Sequence, residues 1–277
     1  MAIKAASQEQ IRGAWDALAP GFDEFVTPEN LRYGGEALRR AGVGRGTRFL
    51  DVAAGSGALS IPAARAGADV VATDIAPAMV ERLTGRARAE GLANIDGRVM
   101  DGQALGFPDG AFDVTASQHG VSLFPDLTRG LAEMARVTRP GGTVLVIAFG
   151  ALARAEFLGV FMGAVLAAVP DAAAPPAEPP PPFRLADPRL FERYLTGAGL
   201  TGVAVDTTTW DLRVESATHL WNLVTSSNPL GARLVAGLTA EQRDDVRRVL
   251  DGVLRERSGG GPGATLHTEI NIGTGVK

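Results

Sequence analysis

The 277-residue chain contains no cysteine, which removes disulfides and every thiolate metal site from consideration. Lysine is almost as scarce: the only two, Lys4 and Lys277, stand at the two ends. Tyrosine is limited to Tyr33 and Tyr194, neither followed by a lysine four residues on, so the tyrosine–lysine pair of short-chain reductases is missing. Three histidines, scattered through the sequence, do not make a metal site. A net charge of −4 leaves no broad basic surface for nucleic acid. The longest apolar run, Phe157 to Val169, is too short to span a bilayer, and Met1 to Ala5 lacks the apolar core of a signal peptide. The expectation is a cytoplasmic enzyme with no metal, no nucleic-acid partner and no membrane insertion.

What the chain does have is a set of short apolar runs that end in polar or glycine-rich turns. The most informative is Phe49-Leu50-Asp51-Val52-Ala53-Ala54-Gly55-Ser56-Gly57. It reads as a buried strand running into a turn where two glycines let a ligand lie against bare amides. The Ala-rich stretch from Ala58 to Ala66 then predicts a helix. A second run ends at Asp74, seventeen residues after Gly57, where a carboxylate is suited to the two hydroxyls of a ribose. A third, Ile95 to Met100, ends in Asp101-Gly102-Gln103, suited to the edge of an adenine ring. A fourth, Ala111 to Ala116, enters Ser117-Gln118-His119-Gly120. A fifth, Thr143 to Phe149, follows Arg139-Pro140-Gly141-Gly142. In open parallel sheets, ligands bind in the crevice outside such strand ends.

This ordered set, together with Arg136-Val137-Thr138-Arg139-Pro140-Gly141-Gly142, resembles the class I S-adenosylmethionine-dependent methyltransferases. Within them it is most similar to the small-molecule branch of the ubiquinone and menaquinone C-methyltransferases. The resemblance covers roughly residues 10–150 in unbroken order. It implies an α/β, Rossmann-like, seven-stranded and mostly parallel sheet. Helices cover both faces, helical cap insertions follow strands five and six, and the last strand enters antiparallel between those two. A nicotinamide-dependent oxidoreductase is the competing enzyme reading, but Ser60 stands where a full G-x-G-x-x-G needs a small third residue.

The resemblance also implies site roles. Gly55 and Gly57, flanked by Ala53 and Ser56, would lie against the methionine and ribose portions of the donor. Asp51 would support the turn or reach the donor's ammonium group. Asp74 would hold the ribose hydroxyls, and Asp101, with Gly102 and Gln103, the adenine amine. Ile75 and Met100 would pack on the adenine faces. Ser117, next to Gln118, would offer its backbone carbonyl to the ammonium group. Met79 and Leu83 have helical spacing and also suit the core. His119, in the turn after the fourth strand, is the candidate catalytic base; the alternative is a loop histidine that only makes hydrogen bonds.

The breaks in the pattern suggest a helical lid over 1–45, a donor-binding core over 46–150, and a helical and Pro-rich cap insertion over 151–186. The rest of the sheet follows over 187–277, with a second helical insertion at about 216–257. Acceptor-pocket candidates are Trp15 and Phe22 in the lid, Phe157 and Phe161 in the first insertion, and His219 and Trp221 in the second. Such side chains imply a hydrophobic small molecule methylated on oxygen or carbon. A non-catalytic S-adenosylmethionine-binding partner subunit is the other class of reading. The long insertions also suit a homodimer contact.

Overall fold

The computed structural model describes residues 7–170 and 180–277. The Met1–Ala5 stretch and most of the proline-dense segment, from Asp171 to Pro179, lie outside the described residues. The chain opens with α1 (Gln8–Gly21), started by a capping box in which Ser7 and Gln10 satisfy each other's backbone amides. Pro20 lies within α1 and cannot donate a helical hydrogen bond. The helix then loosens into one π turn, Phe22–Val26, before tightening again as α2 (Thr27–Arg40).

The sheet follows: β1 (Arg48–Val52), α3 (Ser60–Arg65), β2 (Asp69–Asp74), α4 (Pro77–Ala89), β3 (Ile95–Val99), β4 (Phe112–Gln118), α5 (Leu127–Val137) and β5 (Thr138–Phe149). Next come α6 (Glu156–Ala168), α7 (Pro188–Gly197), β6 (Thr201–Val214), α8 (Ala217–Ser227), α9 (Pro229–Leu234), α10 (Ala240–Ser258) and β7 (Ala264–Val276). The strand order is β3-β2-β1-β4-β5-β7-β6. The first five strands pair in parallel, whereas β7 runs antiparallel to both β5 and β6. This is the sheet implied by the resemblance, with the last strand between the fifth and sixth.

The central strands are apolar on both sides, as a doubly covered sheet requires. Phe49, Ala72, Ala116, Leu145 and Ile147 pack with α2 and α3 on one face, and Leu50, Val52, Val144 and Val146 pack with α5 and α7 on the other. The edge strands β3 and β6 carry mostly exposed and polar positions, which discourages pairing with another chain. A third apolar cluster lies in the cap, where α6, α8 and α10 bury Phe161, Trp221 and Leu250.

Two local readings of the sequence need correction. The Arg139–Gly142 turn is counted within β5, where it forms an irregularity opposite Phe112 and Val114. Gly141 takes a left-handed φ of 74°, and a Cβ on Gly142 would come within 2.6 Å of the Asp113 carbonyl oxygen. Arg136 clamps this region: its guanidinium donates to Glu133, Asp109 and the carbonyls of Leu105 and Phe107. A proline-dense stretch is expected to be an extended surface loop, yet its end is not. Pro181–Phe183 forms a 3₁₀ turn that buries Pro182 and Phe183, with proline at the position where a helix start tolerates it. No described helix is long and apolar enough to cross a membrane.

Candidate active site

The carboxyl ends of β3, β2, β1, β4 and β5 open into one cavity of about 770 Å³. Strand order therefore sets the order of functional groups along its floor: Asp101, Asp74, Ala53 with Gly55, Gln118 with His119, and finally Phe149. The two carboxylates are gathered at one end of this row and Phe149 stands at the other.

At the acidic end, Asp74 is buried and accepts the backbone N–H of Gly55 and of Ala76, each at 2.9 Å. It thereby ties the end of β2 to the turn after β1 and to the start of α4. Burial nevertheless outweighs these donors and pushes its carboxyl up to about 6. Asp101 accepts from the Gln103 backbone N–H at 2.9 Å through one oxygen, and from the Gln8 side chain at 2.9 Å through the other. Gln8 brings the start of α1 over the site. Ile75, Met79, Met100, Gly102 and Gln103 complete this wall, Met79 being almost fully buried with Ala19 and Ala76. Trp15 and Phe22 meet edge to face at 6.2 Å and also line the cavity. A Cβ at Gly55 (φ 53°) would stand 3.1 Å from the Phe22 ring, so the turn and the π-turn aromatic are in close approach.

Four of the sequence-derived donor residues lie behind this wall rather than on it. Asp51 is 1 % exposed and accepts the Ser60 hydroxyl at 2.6 Å, pinning the start of α3 to β1. Desolvation raises its carboxyl to about 7. Ser56 is fully buried and shares a hydrogen bond with Thr27. Gly57 adopts φ 103°, and a Cβ there would press on Ile61 and Leu83. Ser117 is buried with its hydroxyl accepting from the Val121 amide at 3.1 Å. These side chains shape the turns that face the cavity.

His119 sits in the middle of the row and has a left-handed φ of 59°, a conformation a histidine adopts at some cost. Its ring stacks on Phe149 with centroids 4.2 Å apart, and Nε2 hydrogen-bonds the Tyr33 hydroxyl. Tyr33 in turn donates to Asn30 Oδ1 at 2.9 Å, which leaves Nε2 as the donor to Tyr33 and Nδ1 as a bare acceptor. That Nδ1 has no hydrogen-bond partner, and neither does the buried Oε1 of Gln118. Desolvation holds the imidazole down to about 3, so it is neutral across the physiological range.

Beyond His119 the cavity becomes apolar. Phe149 packs against Phe183 at 5.2 Å and Phe157 at 6.0 Å. Leu158, Met162 and Val165 of α6 and Leu230 and Leu234 of α9 extend the wall. Phe161, Trp221 and His219 do not reach it. Phe161 is fully buried against Trp221, ring centroids 5.6 Å apart, and the Arg247 guanidinium lies over the Trp221 ring, 4.6 Å from its centroid. His219 accepts the Glu215 amide through Nδ1 and lies beside Phe25. For Phe161 the physical reason is that α6 is apolar all round, so its periodicity gives no sign of which face meets the cavity and which packs against α8 and α10. Gln8, Asn30, Tyr33, Phe149 and Arg233 were not singled out by the sequence; only Phe149, an aromatic ending a strand, carried a signal that could have found it.

The residues from the acidic end to the middle of the row fit S-adenosylmethionine by their donor and acceptor chemistry: two carboxylates, a glycine turn held by Asp74, and unpartnered acceptors at Gln118 and His119. Comparison with known proteins decides the family. The methyltransferase-domain profile matches residues 50–146. The chain is 34% identical over 171 residues to a demethylmenaquinone methyltransferase of Renibacterium salmoninarum, covering 60% of this chain and 69% of that protein. This chain belongs to the S-adenosylmethionine-dependent methyltransferases. A further relative, an uncharacterized protein of Mycobacterium tuberculosis, is 38% identical over 163 residues, covering 59% of this chain and 57% of that protein. The match thus spans little more than half the length of that relative. Among solved structures, the [4+2]-cyclase SpnF superposes with a TM-score of 0.60 at 15% identity, over 100% of this chain and 99% of that one. That likeness is one of fold alone.

Proposed function

We propose that this methyltransferase moves a methyl group from S-adenosylmethionine to an oxygen or carbon of a hydrophobic small-molecule acceptor. The observation that carries the reading is the single cavity that joins the Asp74 and Asp101 end to the Phe149, Phe157 and Met162 end past His119. When bound, the donor supplies a sulfonium methyl already activated for in-line displacement. The protein's contribution is then positioning and exclusion of water.

In this reading Asp74 accepts the ribose hydroxyls, Asp101 the adenine amine, and Ile75, Met79 and Met100 flank the ring. Gly55 presents the turn, and α1 with Trp15 and Phe22 acts as the lid. Phe149, Phe157, Leu158 and Met162 hold the acceptor. His119 receives a hydrogen bond from the acceptor's hydroxyl at Nδ1 and so aims its oxygen or ring carbon. Its depressed basicity makes it a poor proton store at neutral pH, which favours orientation over full proton abstraction; the proton that the acceptor loses as the methyl bond forms and the carbon–sulfur bond breaks passes to solvent.

The test is calorimetric titration with S-adenosylhomocysteine, with NADH and NADPH alongside, followed by transfer of labelled methyl to a panel of phenols and quinols. Micromolar binding of the first ligand and enzyme-dependent label in an apolar acceptor are expected. Donor binding without label in any acceptor would favour a non-catalytic binding subunit, and binding of a nicotinamide instead would refute the donor assignment.

A further inference from the structure

Three polar residues of the described lining stand at the junction of α8 and α9: Ser227 ends α8, Asn228 joins the helices, and Arg233 is in the last turn of α9, close in sequence to Val235, which packs in the apolar cluster with Phe157 and Val165. Two of them are spent locally. Ser227 donates its hydroxyl to the Val224 carbonyl at 2.9 Å and accepts from the Asn228 side-chain amide at 3.2 Å. Asn228 Oδ1 caps α9, accepting the amides of Leu230 at 2.9 Å and Gly231 at 3.1 Å. Arg233 has no such use. Among the described residues its guanidinium has neither a carboxylate within ion-pair distance nor a hydrogen bond, whereas Arg247 and Arg248 on the neighbouring α10 are paired with Asp244 and Asp245. It is exposed and stands among Leu230 and Leu234, whose side chains are also part-exposed at the rim. The two carboxylates that line the cavity, Asp74 and Asp101, are at its other end, at the tips of β2 and β3.

An unpartnered guanidinium beside an apolar chamber discriminates by charge what the chamber holds by shape. We propose that the acceptor is an amphipathic anion: an apolar, ring-bearing body lodged against Phe149, Phe157 and Met162, with a carboxylate or similar anionic group paired to Arg233 at the rim. The methyl-accepting atom then lies at the end of the molecule remote from the anion, next to His119. Neutral analogues with the same body fit the chamber but forgo the ion pair. This inference rests on the methyl-transfer reading above.

Its test uses the full chain loaded with S-adenosylhomocysteine and two probes that differ only in charge, omega-(para-hydroxyphenyl)octanoate and its primary amide. Affinities are measured by titration in the wild type, Arg233→Gln and Arg233→Lys. The wild type is expected to prefer the carboxylate by about tenfold, the scale of a part-exposed charge-assisted pair, and added salt should shrink that preference. Arg233→Gln should lose the preference with the amide's affinity unchanged, and Arg233→Lys should keep part of it. Equal affinity for both probes in the wild type, the same preference in Arg233→Gln, or no binding of either probe to donor-loaded protein would each overturn the inference. Failure of S-adenosylhomocysteine itself to bind would instead overturn the donor reading on which it stands.

Discussion

Asp74 at the end of β2 holds the backbone N–H of Gly55, in the turn after β1, at 2.9 Å. One carboxylate thus both builds the glycine turn and faces the cavity it encloses. Because its other oxygen accepts the Ala76 amide, Asp74→Ala leaves two backbone donors without acceptors. We expect a loss of stability of roughly 2–4 kcal/mol and a fall in S-adenosylhomocysteine affinity of roughly 1.5–3 kcal/mol, in line with lost charge-assisted hydrogen bonds. Thermal melts and calorimetry check the two effects separately. Wild-type donor affinity in a folded variant would remove Asp74 from the site.

The elevated Asp74 carboxyl, at about 6, gives donor binding a pH dependence. The carboxylate accepts from ribose hydroxyls more strongly than the protonated acid, so affinity should be full above that value and fall as the pH drops through it. Calorimetry at pH 7.5 and pH 5 should differ by about tenfold. A flat profile over that range would mean that Asp74 does not change protonation on the path to binding.

Buried titrating groups also make stability depend on pH, with opposing signs. Asp51 binds its proton more tightly in the fold than in the unfolded chain, so its contribution is present below the ordinary 3.8 and is lost as pH rises through about 7. His119 is depressed, so its contribution is present above 6.5 and is lost as pH falls toward 3. Asp51→Asn should therefore be more stable than the wild type at pH 8, by roughly 1–3 kcal/mol, and no more stable at pH 4. Urea titrations at both values give the comparison; a variant weaker than wild type at pH 8 would show that Ser60 and Asp51 gain more from the charge than burial costs.

Histidine 119 is held by Phe149 on its face and Tyr33 at Nε2, so its role is separable from donor binding. His119→Ala should leave S-adenosylhomocysteine affinity near wild type and lower kcat by about tenfold or more. Tyr33→Phe frees the ring and should give a smaller fall of the same kind. Between pH 6 and 9 the wild-type rate should show no inflection due to His119. An inflection near 6.5 that disappears in His119→Ala would instead identify a titrating base.

The two turns flanking the site are in steric contact. Ala53 holds a left-handed φ of 56°, and a Cβ at Gly120 would stand 2.4 Å from the Ala53 Cβ. Gly120→Ala should cost about 1–3 kcal/mol through overpacking, and Ala53→Gly in the same chain should recover part of that loss. Additive effects in the double-mutant cycle would mean that the turns move independently.

The chain's local patterns were enough to mark the strands that carry the site. Apolar runs of strand length and the polar residues that end them act within a few residues, so strands β1 to β5 and the row of Asp74, Asp101 and His119 are legible from order alone, whereas the antiparallel placement of the last strand came from the family resemblance. Side-chain direction is not a local property. Asp51, Ser56 and Ser117 lie on the strand ends and turns that also carry residues lining the cavity, yet each faces inward to a partner on another element or a neighbouring turn. The same holds for the cap, where Phe157 meets the cavity and Phe161, one helical turn on, meets Trp221. Likewise Gln8 and Arg233 become cavity residues only because α1 and α9 are folded over strand ends far away in sequence. Sequence determined which chemistry is available at the strand ends. Packing between distant elements, which decides the faces that apolar helices and turns present, determined which of those groups can touch a ligand.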